Sequence, residues 1–353
     1  MKYPCLEVDL KKIEENTRFI VDKCNEKGIK AFVVSKVYCA YKEIAGASLK
    51  GGAYGIADSR IQNLEKVKEF DCPKLLLRIP MKSEVEDVVR LADISLNSEI
   101  ETIILLDEEA RKQGKVHKII LMIDLGDLRE GVWFQSIDTI VEDILKLENI
   151  KLHGIGTNLT CYGGVMPDDE NLGRLLEIKN EIEDKHNITL ETVSGGNSSS
   201  LYKVLNDTMP EGINMLRIGE AIVLGRETAY GDLIEGMHED AFVLKGEIVE
   251  LKKKPSVPIG TIGMDAFGNK PTFEDRGEIL RAIVAFGRQD VNPDGIEPLD
   301  ENIDILGASS DHLLMDVTNS LKELRVGDIL EFKVDYGALL NVSTSEYVNK
   351  VFK

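Results

Sequence analysis

AFVVSKVYCA (residues 31–40) decides how the rest of this chain is read. Ala31 to Ser35 make a short run of small and apolar residues, the pattern of a strand covered on both faces, and Lys36 stands at its C-terminal end. Burying a lysine costs side-chain entropy and hydration. At the tip of an inner strand it either marks where the strand meets water or has a chemical task. The context must decide.

Outward from this run a rhythm repeats. Strand patterns recur at 53–57, 74–79, 93–97, 118–124, 152–158, 190–196 and 213–219, with helix patterns at 59–70, 82–92, 98–114, 134–149, 168–186 and 198–206. Counting from 31–35, there are eight strands. Eight such units in roughly 220 residues are what a (β/α)8 TIM barrel requires. The rival, an open doubly wound sheet, normally carries a GxGxxG turn, and the chain has none. Upstream, residues 4–10 alternate as an isolated strand, and a helix pattern runs from Asp9 to Cys24. After about residue 238 the periodicity changes to strand-like segments at 241–253, 276–286, 302–309, 313–317 and 328–334. Turns such as NPDG and RVGD separate them, and helical signals nearly vanish. The reading is three parts: residues 1–10, a strand packing with the C-terminal domain; 11–237, the barrel; and 238–353, a mainly-β domain.

The 43 Lys and Arg against 62 Asp and Glu give a net charge of -19, which argues against a nucleic-acid or anionic-membrane surface. No apolar run approaches the roughly 18 residues of a membrane span, and no signal-peptide pattern opens the chain. The five cysteines are scattered as in a reducing cytoplasm. Histidine is scarce and no metal-ligand spacing occurs, so no metal is expected.

Function in this fold gathers at the C-terminal ends of the strands. Those ends carry Lys36, Asp58, Arg78, Asn97, Asp124 with Arg129, Thr157 and Asn158, Ser194 with Gly195 and Gly196, and Arg217 with Gly219. VSGGNSSSL (193–201) pairs glycines, which let backbone amides approach closely, with serines that open a helix; RIGEA (217–221) follows one strand later. The bland alternative is a capped helix after a tight turn. Two anion-competent loops on the seventh and eighth strands match the usual phosphate position in this fold. A lysine across the mouth from a phosphate points to a phosphorylated cofactor whose aldehyde joins Lys36.

The chain resembles the alanine racemase superfamily of fold-type III pyridoxal-phosphate enzymes, in its alanine/ornithine racemase branch. VVSKVYCA, YGIADSRIQNL, IDLGDLREG, VSGGNSSSL and LRIGEAIVLG carry the resemblance in the barrel. GTIGMDAFGN, RGEILRAIVAFGRQD, ILGASSDHL and YVNKVF carry it beyond, in the same order. It implies pyridoxal 5'-phosphate as cofactor and interconversion of L- and D-ornithine by two-base proton transfer at Cα, in a homodimer. It also implies that Lys36 binds the cofactor and serves as one acid–base group, that Arg217 meets the pyridine nitrogen, and that Arg129 lies near the phenolic oxygen and the substrate carboxylate. Ser194, Gly195, Ser198, Ser199, Gly219 and Glu220 fall in or beside the phosphate cradle. Asn158 stands where many relatives have a histidine. Two further departures are Ala40 at the place of a phosphate-holding tyrosine, with Tyr38 and Tyr41 out of register, and no tyrosine near PSVPIG (255–260) for the opposite-face base.

Candidates for that base are Asp265, Asp311, His312, Tyr336 and Cys161. His312 and Asp311 lead, because ASSDH falls near the family's substrate-contacting motif. Asp265, Asp290 and Glu220 are the carboxylates considered for a distal ammonium. The rival functions are a decarboxylase of a basic amino acid with the same cofactor, a non-catalytic cofactor-homeostasis protein, and a metal-assisted aldolase, which the scarcity of histidine disfavours.

Overall fold

The computed structural model describes residues 2–353 apart from 265, 266 and 269. The chain divides into two compact units, residues 10–239 and a second built from 240–353 with the residues up to Asp9.

After β1 (Cys5–Val8) and α1 (Leu10–Asn25), the first unit alternates strand and helix. It runs through β2 (Lys30–Val34), α2 (Lys42–Lys50), β3 (Gly55–Asp58), α3 (Ile61–Lys66), β4 (Lys74–Leu76), α4 (Val85–Leu91), β5 (Ile94–Asn97) and α5 (Ile100–Lys112). Then come β6 (His117–Asp124), β7 (Val132–Trp133), α6 (Asp138–Ile144), β8 (Ile150–Gly156) and α7 (Asp169–His186). The unit finishes with β9 (Thr192–Ser194), α8 (Leu201–Leu205), β10 (Met215–Ile218) and α9 (Glu220–Leu224). Hydrogen bonding follows the order β5-β4-β3-β2-β10-β9-β8-β6, and β5 pairs with β6 to close the ring. All of these neighbours are parallel, which makes the unit the TIM barrel expected from the apolar runs.

Strand alternation sorts side chains into two cores. Phe32, Val34, Leu75, Leu96, Ile120, Met122 and Met215 fill the barrel, while Ile56, Leu76, Ile119, Leu121, Ile155 and Val193 meet the helices. One glycine is forced by this geometry. A Cβ on Gly154 would lie 2.0 Å from the Thr192 carbonyl oxygen, so only glycine lets β8 close on β9.

Three helix readings needed correction. The pattern at 59–70 supports helix only over Ile61–Lys66, and that at 134–149 only over Asp138–Ile144. Beyond α6 the chain turns to let the Asn149 amide reach Asp107 Oδ1 at 2.6 Å. Helix α2, KEIAGASLK, escaped notice because its buried residues include the small Ala45, Ala47 and Ser48, which leave no apolar stripe. Close approach is its design: a Cβ on Gly51, just past its end, would lie 2.7 Å from the Glu14 carbonyl of α1.

The second unit contains β11 (Phe242–Pro255), β12 (Glu278–Val284), β13 (Ile296–Pro298), β14 (Asp304–Ala308), β15 (Leu313–Asp316), β16 (Ile329–Val334), α10 (Tyr336–Thr344) and β17 (Asn349–Phe352). Its strands run β13-β16-β11-β12-β15-β14, and β1 joins them antiparallel to β11 and parallel to β17. The expectation that helices vanish here fails at α10. This helix is capped by Asp335, whose Oδ1 accepts from the Ala338 amide at 2.7 Å, but its YGALLNVST sequence has no charged residue and exposes Leu340 beside Asn341 and Thr344.

One loop of this unit is pinned by a carboxylate. Asp300 accepts from the Asn302 amide and side chain and from Ser320 and the Leu321 amide, at 3.0–3.1 Å. Burial pushes its pKa up, but these bonds outweigh it and hold the group at about 2. A depressed folded value means the contribution is present above the unfolded pKa, about 3.9, and is lost as pH falls through the folded one. Asp300→Ala should therefore cost about 1 kcal/mol at pH 7. Urea melts should show the gap to wild type closing as pH drops from about 4 toward 2.

Candidate active site

Lys36 is set by an unusual turn. After Val34 ends β2, Ser35 takes helical angles and residues 36–38 form a single 3-10 turn. Cys39 and Ala40 follow with φ of 50° and 51°. Two successive left-handed non-glycine residues cost on the order of 1–2 kcal/mol each and persist only when their surroundings over-determine them. The anchor is Asp58, which accepts from Ser35 Oγ at 2.6 Å, the Arg60 amide at 2.8 Å and Asn63 Nδ2 at 3.1 Å. Burial drives the Asp58 carboxyl pKa up, and these bonds pull against it. Asp58 thus supports the lysine turn, and the Lys36 charge works on its carboxylate in the same direction as these bonds. Asn97 donates through Nδ2 to the carbonyl and hydroxyl of Ser95, while its buried Oδ1 has no partner among the described residues, and Arg78 pairs with Glu84 at 2.7 Å.

Beside β2, strand β10 places Arg217 level with Phe32. The guanidinium is 3% exposed, and its Nη2 donates to the Thr157 carbonyl at 2.6 Å. Burial pulls its pKa down to about 10, which still leaves it protonated at neutral pH. Asn158, next along the β8 loop, lies between Asn197, Arg217 and Arg129: with one amide orientation its oxygen accepts from Asn197 Nδ2 at 3.0 Å and Arg217 Nη2 at 3.4 Å, and with the other from Arg129 Nη2 at 2.6 Å and Nη1 at 3.2 Å. Arg129 also forms a two-pronged ion pair with Glu130. Burial opposes the Arg129 charge, but Glu130 offsets this and keeps its pKa high.

The loop that carries Arg129 is clamped from both ends. Asp124 Oδ1 accepts from the Gly126 and Leu128 amides at 2.8 and 3.2 Å. The buried Asp127 accepts from the Thr160, Tyr162 and Val165 amides at 3.0–3.1 Å, which ties this loop to the one after β8.

The glycine-serine loop has the character of an anion cradle. Ser194 Oγ and Ser199 Oγ are buried and have no hydrogen-bond partner among the described residues. Gly196 has φ 119°, and a Cβ on Gly195 would meet Ile213 at 2.5 Å. Ser198 Oγ accepts from the Gly219 and Ala221 amides at 3.2 and 3.3 Å and so joins this loop to the one after β10. Asn197, which sequence reasoning passed over inside GGNSSS, shapes the loop: its Oδ1 accepts from the Ser199 amide at 2.7 Å. Orphan hydroxyls beside glycine backbone suit a phosphate, which supplies several strong acceptors.

The remaining candidates lie elsewhere. Glu220 opens α9 directly after Gly219. Cys161 is exposed in the β8 loop, where its Sγ accepts from Asn197 Nδ2 at 3.3 Å. Tyr38 is wholly buried beside Ser48, so it is no substitute for a phosphate-holding tyrosine, and Tyr41 precedes α2. Asp311 and His312 sit in the exposed turn between β14 and β15 of the second unit, and Tyr336 begins α10. Asp290 is buried in that unit and accepts from Ser345 Oγ at 2.7 Å. Its segment hydrogen-bonds the 309–312 turn, Arg288 N to Ser309 O at 2.9 Å and Gln289 N to Ser310 O at 3.0 Å. Asp265 lies outside the described residues. Among the described residues no cluster of three His, Cys, Asp or Glu could hold a metal, and no helix is long and apolar enough to cross a membrane.

A lysine on a strained strand-end turn, a buried guanidinium one strand away and a serine-glycine cradle on the seventh and eighth barrel strands define the class of barrel enzyme that holds a phosphorylated aldehyde cofactor. The family profile described as "Alanine racemase, N-terminal domain" matches residues 8–227. Ornithine racemase of Acetoanaerobium sticklandii is 51% identical over 350 residues, 99% of each chain. Lysine racemase of Thermotoga maritima is 42% identical over 355 residues, 100% of this chain and 99% of its own. Among solved structures, alanine racemase of Clostridium difficile 630 aligns with a TM-score of 0.75 at 19% identity, covering 100% of this chain and 96% of that one. Alanine racemase of the D-cycloserine producer Streptomyces lavendulae gives 0.79 at 14%, covering 100% and 98%, and at this identity the likeness is one of fold. The chain belongs to the alanine racemase family and is a pyridoxal 5'-phosphate-dependent enzyme of the racemase type.

Proposed function

We propose that this enzyme interconverts the L and D forms of a basic amino acid of the ornithine and lysine class. The observation that carries the reading is near-full-length identity of 51% and 42% to an ornithine and a lysine racemase. When bound, pyridoxal 5'-phosphate supplies an aldehyde for amine exchange and an electron sink that acidifies the substrate Cα–H.

The chain's own residues do the rest. Lys36 Nζ binds the cofactor and, once displaced by substrate, takes or returns the Cα proton on one face. Ser194 and Ser199 hydroxyls, beside Gly196, hold the phosphate, while the Gly195 amide is taken by the Met215 carbonyl and the Gly219 amide by Ser198 Oγ. Ser198 fixes the spacing of those two loops through its bonds to Gly219 and Ala221. Arg217 donates a hydrogen bond but does not give up its proton, so a ring nitrogen held against it would stay largely unprotonated and side reactions would be restrained. Arg129, steadied by Asn158, takes the substrate carboxylate. The proton on the opposite face is assigned to His312, with Asp311 beside it; His312→Gln should then lose racemisation in both directions. The active form is proposed to be a homodimer, and five free cysteines fit a reducing cytoplasm.

The test is a screen of L-amino acids with the holoenzyme, read by chiral chromatography. Appearance of D-ornithine or D-lysine ahead of D-alanine supports the reading. Release of the diamine with loss of the carboxylate would mean a decarboxylase, and no product from any amino acid would favour a cofactor-binding role.

A further inference from the structure

A basic substrate brings a second charge, a distal ammonium, into a partly buried mouth. Such a group needs acceptors, and a carboxylate, which also balances its charge, serves best, because a buried charge without a partner is strongly disfavoured. Three strand-end carboxylates already have other tasks. Asp58 backs the lysine turn, Asp124 caps its own loop, and Asp127 holds three amides of the loop after β8. Glu220 opens α9 next to Gly219, on the cradle side.

Glu130 differs from all of these. Its side chain is 17% exposed, it pairs through both oxygens with Arg129, and its charge acts on the buried Arg217. A carboxylate has about four acceptor directions, so the pairing with Arg129 leaves roughly two unspent. The pair therefore offers one positive and one negative centre on adjacent residues. A basic amino acid held through its α-amino group presents the complement, one carboxylate and one ammonium. The loop is stiff enough to read that spacing, since a Cβ on Gly131, just beyond Glu130, would lie 2.5 Å from the Asp124 amide nitrogen.

We propose that Glu130 selects the basic side chain, accepting the distal ammonium while Arg129 takes the α-carboxylate. This rests on the action on a basic amino acid put forward above. The bland alternative is that Glu130 only balances two arginines.

The test compares ornithine with norvaline, which lacks the distal amine, as substrate or as competitive inhibitor, in wild type, Glu130→Gln and Glu130→Asp. Glutamine keeps an acceptor for Arg129 but loses the charge. The expected result is a roughly 100-fold fall in kcat/KM for ornithine, mostly in KM, with norvaline binding changed less than about 3-fold. Glu130→Asp draws the carboxylate back by one methylene and should raise the ratio of lysine to ornithine turnover. It also serves if the glutamine variant does not fold. Equal losses for ornithine and norvaline, or an unchanged lysine-to-ornithine ratio in Glu130→Asp, would overturn the assignment. Wild type inactive toward both ornithine and lysine would instead overturn the functional reading, and this inference with it.

Discussion

Lys36→Ala is expected to lose racemisation by about 10⁴-fold or more, because in the proposed mechanism one residue supplies both the covalent anchor and one of the two proton carriers. Lys36→Arg should be equally inactive, since a guanidinium neither forms the imine nor gives up its proton at working pH. Neither change removes the hydrogen bonds that build the turn, and Lys36→Arg also keeps the positive charge that acts on Asp58. The turn is carried by the bonds of Ser35 and Asp58 and by the backbone at Cys39 and Ala40. Thermal unfolding of the apo variants should therefore stay close to wild type, which separates chemical loss from collapse. Activity within 10-fold of wild type in Lys36→Ala would remove the lysine from the reaction.

Arg217→Gln should lower kcat by about 10²-fold, the scale seen when one positioned donor is removed from a site. It should also cost stability, which Lys36→Ala should not. The guanidinium is buried and donates to the Thr157 carbonyl at 2.6 Å, so a shorter side chain leaves that oxygen unpaired inside the barrel. The cost should be about 1–3 kcal/mol, read as a lower urea midpoint in the apo protein. A midpoint and a kcat both matching wild type would mean that Arg217 neither braces the β8 loop nor acts on the cofactor.

These two residues were legible in the sequence for one reason. Inner strands of a closed barrel are apolar on both faces, so Lys36 after AFVVS and Arg217 within NMLRIG stand out as charges with no water to meet. The same reasoning also collected Asp58, Arg78 and Asn97, whose hydrogen bonds run to Ser35, Glu84 and Ser95. A strand-end position alone does not say whether a side chain turns toward the mouth or back toward a helix. The clamp around Arg129 could not be read at all. It depends on Leu128 at φ 56° and Gly131 at φ 138°, and on Asp127 reaching amides more than thirty residues away. Glu130 was hidden for the same reason, as one acid in a chain with 62. In the second unit, α10 was missed because YGALLNVST carries no charged residue, and exposed Gly337 and Leu340 dilute the face marked by Asn341 and Thr344.

The most direct test of the account is to reduce the holoenzyme with borohydride, digest it and locate the cofactor by mass spectrometry. The account predicts a single labelled peptide with the modification on Lys36. Label on any other lysine, or none on the protein, would contradict it.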